Sequence, residues 1–71
     1  MENPEVMIHV RFAPNGTVME IGERPQTVAP QAWFDLLSEK ASDSYRTYAG
    51  GRGSFSLPRA AVDALKGAAA A

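Results

Sequence analysis

Val6-Met7-Ile8-His9-Val10-Arg11-Phe12-Ala13-Pro14-Asn15-Gly16-Thr17-Val18-Met19-Glu20-Ile21 decides the fold. Its first seven residues alternate, with Val6, Ile8, Val10 and Phe12 on one face and Met7, His9 and Arg11 on the other. Such alternation, rich in β-branched and aromatic side chains, marks a half-buried strand. Pro14 presets the first central position of a turn and Gly16 supplies a positive φ, so the chain reverses there. Thr17–Ile21 returns as a second strand.

Two registers compete for this hairpin. A three-residue loop, Pro14-Asn15-Gly16, ends in a glycine bulge and pairs Phe12 with Val18, but leaves Val10 opposite Glu20. A four-residue loop pairs Val10 with Met19 and Ile8 with Ile21, and sets His9 across from Glu20 as a surface ion pair. It places Ala13 near the helical region, which a following proline disfavours. A one-residue slip exchanges the two faces of a strand, and the apolar pattern favours the four-residue loop.

Outward from the hairpin, residues 22–29 form a connection with Gly22 and Pro25. A helix follows over Pro30–Ala41, with proline tolerated in its first turn. Trp33, Leu36, Leu37 and Lys40 or Ala41 trace an apolar stripe that Phe34 widens, with Trp33 in the core. Gln31, Asp35, Ser38, Glu39 and Ser42 take the outer face. A second hairpin has arms Tyr45–Ala49 and Ser54–Leu57 around the turn Gly50-Gly51-Arg52-Gly53. Ser56 is placed to cap a last helix with Pro58 in its first turn. Leu57, Ala61, Ala64 and Leu65 form its stripe, and Gly67 either stops it or is passed in a fraying end. The order ββαββα gives an α+β fold, one antiparallel sheet with both helices on one face.

The halves echo each other at a spacing of 28: Pro30-x-Ala32-x-x-Asp35-x-Leu37 against Pro58-x-Ala60-x-x-Asp63-x-Leu65, and Gly22 and Arg24 against Gly50 and Arg52. A duplicated ββα unit and the common look of helix starts both account for this.

Seventy-one residues form a single domain, 1–71, with 1–5 and 67–71 expected to be frayed. A chain this short buries only about 60% of its unfolded surface, enough for a small core but not for a deep walled active site. There is no cysteine, which excludes disulfides, thiolate zinc sites and thiol catalysis. No segment approaches the roughly 18 apolar residues of a membrane span. Met1–Glu5 is acidic and lacks the apolar run of a secretory signal. With five arginines against two lysines and twelve alanines, these features point to a cytoplasmic protein from a GC-rich bacterial genome.

Net charge is −1, but it is divided. Residues 1–44 carry three cations against seven carboxylates, a net −4, and residues 45–71 carry four against one, a net +3. Such a division is a hint of partner or nucleic-acid binding, or a device by which two halves offset each other. The densest chemistry is Tyr45–Arg59. Its glycines serve the turn, and Phe55 and Leu57 the core. Tyr45 and Tyr48, three apart, cannot both face inward, so one is exposed. Arg46, Tyr48, Arg52 and Arg59 remain as candidate contacts to a partner or to phosphate.

Catalytic patterns are missing. His9 is the sole histidine and shows no ligand spacing, so no metal site is expected. No Gly-x-Ser-x-Gly elbow occurs; Ser54 falls in a turn, and only His9 is available as its base. Asp35 and Glu39 lie outward. Gly50-Gly51-Arg52-Gly53 lacks the Lys-Ser/Thr of a phosphate-binding loop and leads into a strand. The expectation is a non-enzymatic interaction module without cofactor, binding a protein partner or itself and no membrane. The alternative is a nucleic-acid-binding protein using the arginine-rich hairpin.

Overall fold

The computed structural model describes residues 5–70. The elements are β1 (Glu5–Phe12), β2 (Val18–Ile21), α1 (Pro30–Lys40), a 3₁₀ turn (Ser42–Ser44), β3 (Tyr45–Tyr48), β4 (Arg52–Pro58) and α2 (Arg59–Ala70). The fold is α+β, a four-stranded antiparallel sheet in the order β2-β1-β4-β3 with both helices against one face. The two central strands, β1 and β4, come from different hairpins. The expected fraying of residues 1–5 lies, for 1–4, outside the described residues, and Glu5 opens β1. Gly67 sits inside α2, which runs on to Ala70; residue 71 is also outside.

The alternation of β1 produces this layering. Ile8 and Val10 are fully buried, Val6 and Phe12 partly, while Glu5, Met7, His9 and Arg11 are exposed. Against the buried row lie Trp33 and Leu37 of α1, Val62 of α2, and Phe55 and Leu57 of β4. Phe34 packs edge-on against Phe12, Tyr45 and Phe55 at centroid separations of 5.3, 5.8 and 5.8 Å, an arrangement favoured by the quadrupoles of the rings. The Trp33 indole N–H donates to the Gly22 carbonyl at 3.0 Å, fixing α1 to the end of β2. Gln31, assigned to the outer face, also accepts the Val18 N–H through Oε1 at 2.9 Å.

The first hairpin takes neither expected register. Its loop is the three-residue one: Ala13 N–H donates to Thr17 O at 2.7 Å, and Asn15 Oδ1 accepts from the Thr17 N–H and hydroxyl. Phe12 faces Val18, but Arg11 faces Glu20 and Val10 faces Ile21, so the pairing shifts between Arg11 and Phe12. Met19 is the extra residue, a β-bulge. It removes the objection to the short loop, since Ile21 and not Glu20 stands opposite Val10. The four-residue loop, favoured on apolar grounds, is thereby excluded, and Glu20 pairs with Arg11 instead of His9.

The second hairpin is tighter than expected. Tyr48 faces Arg52, so the turn is Ala49-Gly50-Gly51, with Gly50 and Gly51 at φ 84° and 70°. Arg52, Gly53 and Ser54, assigned wholly or partly to the turn, are strand residues. Ser56 lies in β4 opposite Met7 and not at a cap, and Pro58 ends β4. The buried residue of α2 is Val62, which the expected stripe omitted; Ala61, Leu65 and Ala69 flank it and Ala64 is exposed. The helix starts one residue later than expected, and its phase follows. The elements do not keep the 28-residue echo: α1 begins at Pro30 but α2 at Arg59, with Pro58 still in β4, and Gly22 follows β2 whereas Gly50 lies inside the β3–β4 turn.

Candidate functional site

Side chains of successive strand residues point to opposite faces, so the strand pairing assigns the uncovered face. One row runs Glu20, Arg11, Arg52, Tyr48 across all four strands. The next runs His9, Ser54, Arg46 across β1, β4 and β3, and Met7 faces Ser56 beyond it. Three of the four candidate residues, Arg46, Tyr48 and Arg52, therefore share this face with Arg11 and His9. The last two come from the other hairpin and were legible as outward-facing in β1. Their adjacency to Arg46 and Arg52 needed the β1–β4 pairing, which no local signal specifies.

Phe12 N–H donates to Gly51 O at 2.8 Å. In the antiparallel alternation this makes Arg11–Arg52 a non-hydrogen-bonded pair, the type in which facing side chains come closest. Two arginines are thus direct cross-strand neighbours at the turn end of the β1–β4 ladder, a pairing of like charges that costs stability. Arg11 has one partner, Glu20, at 3.7 Å, with the two side chains 61% and 72% exposed. Among the described residues Arg46 and Arg52 form no ion pair. A half-open groove of about 730 Å³ runs over this region, its polar lining including His9, Arg11, Glu20, Glu23, Tyr48 and Arg52.

Tyr48 is 46% exposed, and Tyr45, its counterpart on the other face, is half-buried against Phe55. One tyrosine of the two is thus presented outward, as the spacing required. Its hydroxyl lies 3.0 Å from Ser54 Oγ, which anchors the ring over β4. The strand pairing also sets Ser54 directly opposite His9, a proximity with no precursor in the sequence. Ser54 is only 2% exposed and its hydroxyl is engaged by Tyr48, so it is not offered to a substrate. Among the described residues no group of three His, Asp or Glu side chains converges.

Arg59 stands apart from the other three. It opens α2, and its two Nη atoms donate to the Glu23 carboxylate at 3.1 Å each, with Asp63 at 3.3 Å. Lys66 Nζ reaches the same carboxylate at 2.6 Å. The bonds from Arg59, then those from Lys66, lower the Glu23 pKa from the usual 4.5 to about 2, outweighing the opposing effect of burial. Glu23 has φ 61°, the left-handed region that favours glycine. The two cations hold it there, and they join the end of the first hairpin to the last helix.

No family model, curated protein or solved structure matches the chain.

Proposed function

We propose that the protein is a non-enzymatic binding module whose working surface is the uncovered face of its sheet, and that its partner is anionic there. The observation that carries this is the Arg11–Arg52 pair at the turn end of that face, with Arg46 one row away and Glu20 the sole carboxylate in the two rows. A like-charge pair is retained at a structural cost, and an anion seated between the guanidinium groups would offset it. The planar fork of arginine suits carboxylate and phosphate alike. Face-to-face self-association is disfavoured, since it would set these arginines against their own copies.

Amide chemical-shift mapping at low salt tests the reading, with heparin, oligoglutamate and an oligonucleotide as titrants. Shifts concentrated at His9, Arg11, Arg46, Tyr48, Arg52 and Ser54, with α1 and α2 unmoved, are expected for at least one titrant. No shift on this face with any of the three overturns it.

Self-association has one observation in its favour. β3 is a sheet edge, exposed from Arg46 to Tyr48, with no proline or bulge to blunt it. Edge pairing of two copies would appear as a dimer in sedimentation at micromolar concentration; a monomer sets this reading aside.

A further inference from the structure

Resting on that reading, the geometry points to single-stranded nucleic acid as the occupant of the open sheet face. Phosphates lie on Arg11, Arg52 and Arg46, and a base stacks on Tyr48.

The first argument is charge combined with what surrounds it. A protein interface has a core depleted of charge and enriched in apolar side chains, with polar groups at its rim. At the turn end of this face the exposed side chains are instead Arg11, Arg52, Arg46 and Tyr48, and the exposed apolar Met7 lies two rows away from the Arg11–Arg52 pair. An acidic protein seated on this end would have to desolvate the two cross-strand arginines, which is costly for charges that remain imperfectly paired. A phosphodiester backbone does not impose this, because protein–nucleic acid interfaces are polar and wet and leave charge partly hydrated.

The second argument is Tyr48. It occupies the same row as Arg11 and Arg52, beside the latter, and remains 46% exposed although its hydroxyl is tied to Ser54. An aromatic ring held in place next to phosphate-binding cations is the combination on which unpaired bases stack. In a duplex the base faces are hidden by their neighbours, and this ring would have nothing to lie against. The sheet face also offers no protruding helix or two-stranded ribbon to enter a major groove. The glycine turn Ala49-Gly50-Gly51, immediately beyond Tyr48 and Arg52, has no side chain larger than a methyl, which leaves this end of the row open to a passing strand.

Fluorescence anisotropy of a labelled short oligothymidine with the full chain tests the inference. With three phosphates neutralised, affinity is expected to fall by roughly eighteenfold between about 50 and 200 mM salt, and Arg52→Ala to lower the logarithmic salt slope by about 0.7. Tyr48→Leu is expected to weaken binding about tenfold with the salt slope unchanged, and Tyr48→Trp to restore it. The amide spectrum of each variant establishes that it is folded. Three results overturn the assignment: tighter binding of the matching duplex, tighter binding of oligoglutamate, or heparin competing equally while Tyr48→Leu has no effect. Each of these leaves the anion-binding face standing. Absence of any titrant from the face removes both.

Discussion

The ring of Tyr45 lies where a side chain on residue 53 would be. A Cβ on Gly53 would come within 2.8 Å of the Tyr45 Cε1 and Cζ atoms. The two residues are diagonal neighbours across β3 and β4, since Tyr45 pairs with Phe55 and Gly53 with Thr47. Gly53 carries no unusual φ, so its role is space and not backbone freedom. The vacancy lets Tyr45 lie flat over β4 and reach Phe34 and Phe55.

Gly53→Ala is therefore expected to destabilise the protein by about 1–3 kcal/mol, as overpacking does, although alanine ordinarily suits a strand better than glycine. Urea melts check this. Adding Tyr45→Leu to Gly53→Ala is expected to cost less than the sum of the two changes, because they share one space.

Glu23 predicts the acid limb of stability. Its folded pKa is depressed to about 2, so the contribution is complete above the unfolded value near 4.5 and is lost as pH falls from 4.5 toward 2. Its side chain is 25% exposed and its partners are more exposed, which moderates the size. Glu23→Gln is expected to cost about 1 kcal/mol at neutral pH and to flatten the urea midpoint between pH 5 and pH 2. Glu23→Gly relieves the positive φ, and is expected to lose less at neutral pH while flattening the acid limb equally.

Arg52→Glu converts the like-charge pair with Arg11 into an attractive one. At low salt it is expected to raise stability by about 0.2–1 kcal/mol, the gain shrinking as salt screens it. The same variant is expected to lose anion binding. Stability and binding moving in opposite directions would identify the pair as a functional expense; a variant both less stable and unbound would contradict this.

Deletion of Met19 is expected to be tolerated. Phe12–Val18, Arg11–Glu20 and Val10–Ile21 all remain paired without it, and their alternation becomes regular. The urea midpoint is expected to move by less than the equivalent of about 1 kcal/mol. Bulges twist a sheet edge away from other chains, so the deletion is also expected to raise self-association by sedimentation.

The elements themselves were legible in the sequence. The period-two pattern of Val6–Phe12, the proline-glycine turn and the Trp33–Leu37 stripe each arise from neighbouring residues. Legibility ended where two segments must choose a register. The Met19 bulge depends on Gln31 and on what Ile21 meets in the core, and no turn rule contains that information. Arg46, Tyr48 and Arg52 were identified by elimination, but Arg11 and His9 joined them only through β1–β4 pairing across more than forty positions of chain. Arg59 shows the converse. Its partner Glu23 lies 36 residues away and holds it in an ion pair, which spacing along the chain could not reveal.

The single tryptophan gives the chain an internal instrument. Trp33 is fully buried on the helix side of the sheet, bonded to Gly22, and the arginine rows lie on the opposite side. Its emission follows unfolding, so a variant that has lost its fold is recognised with no label attached, whatever has become of its ligand.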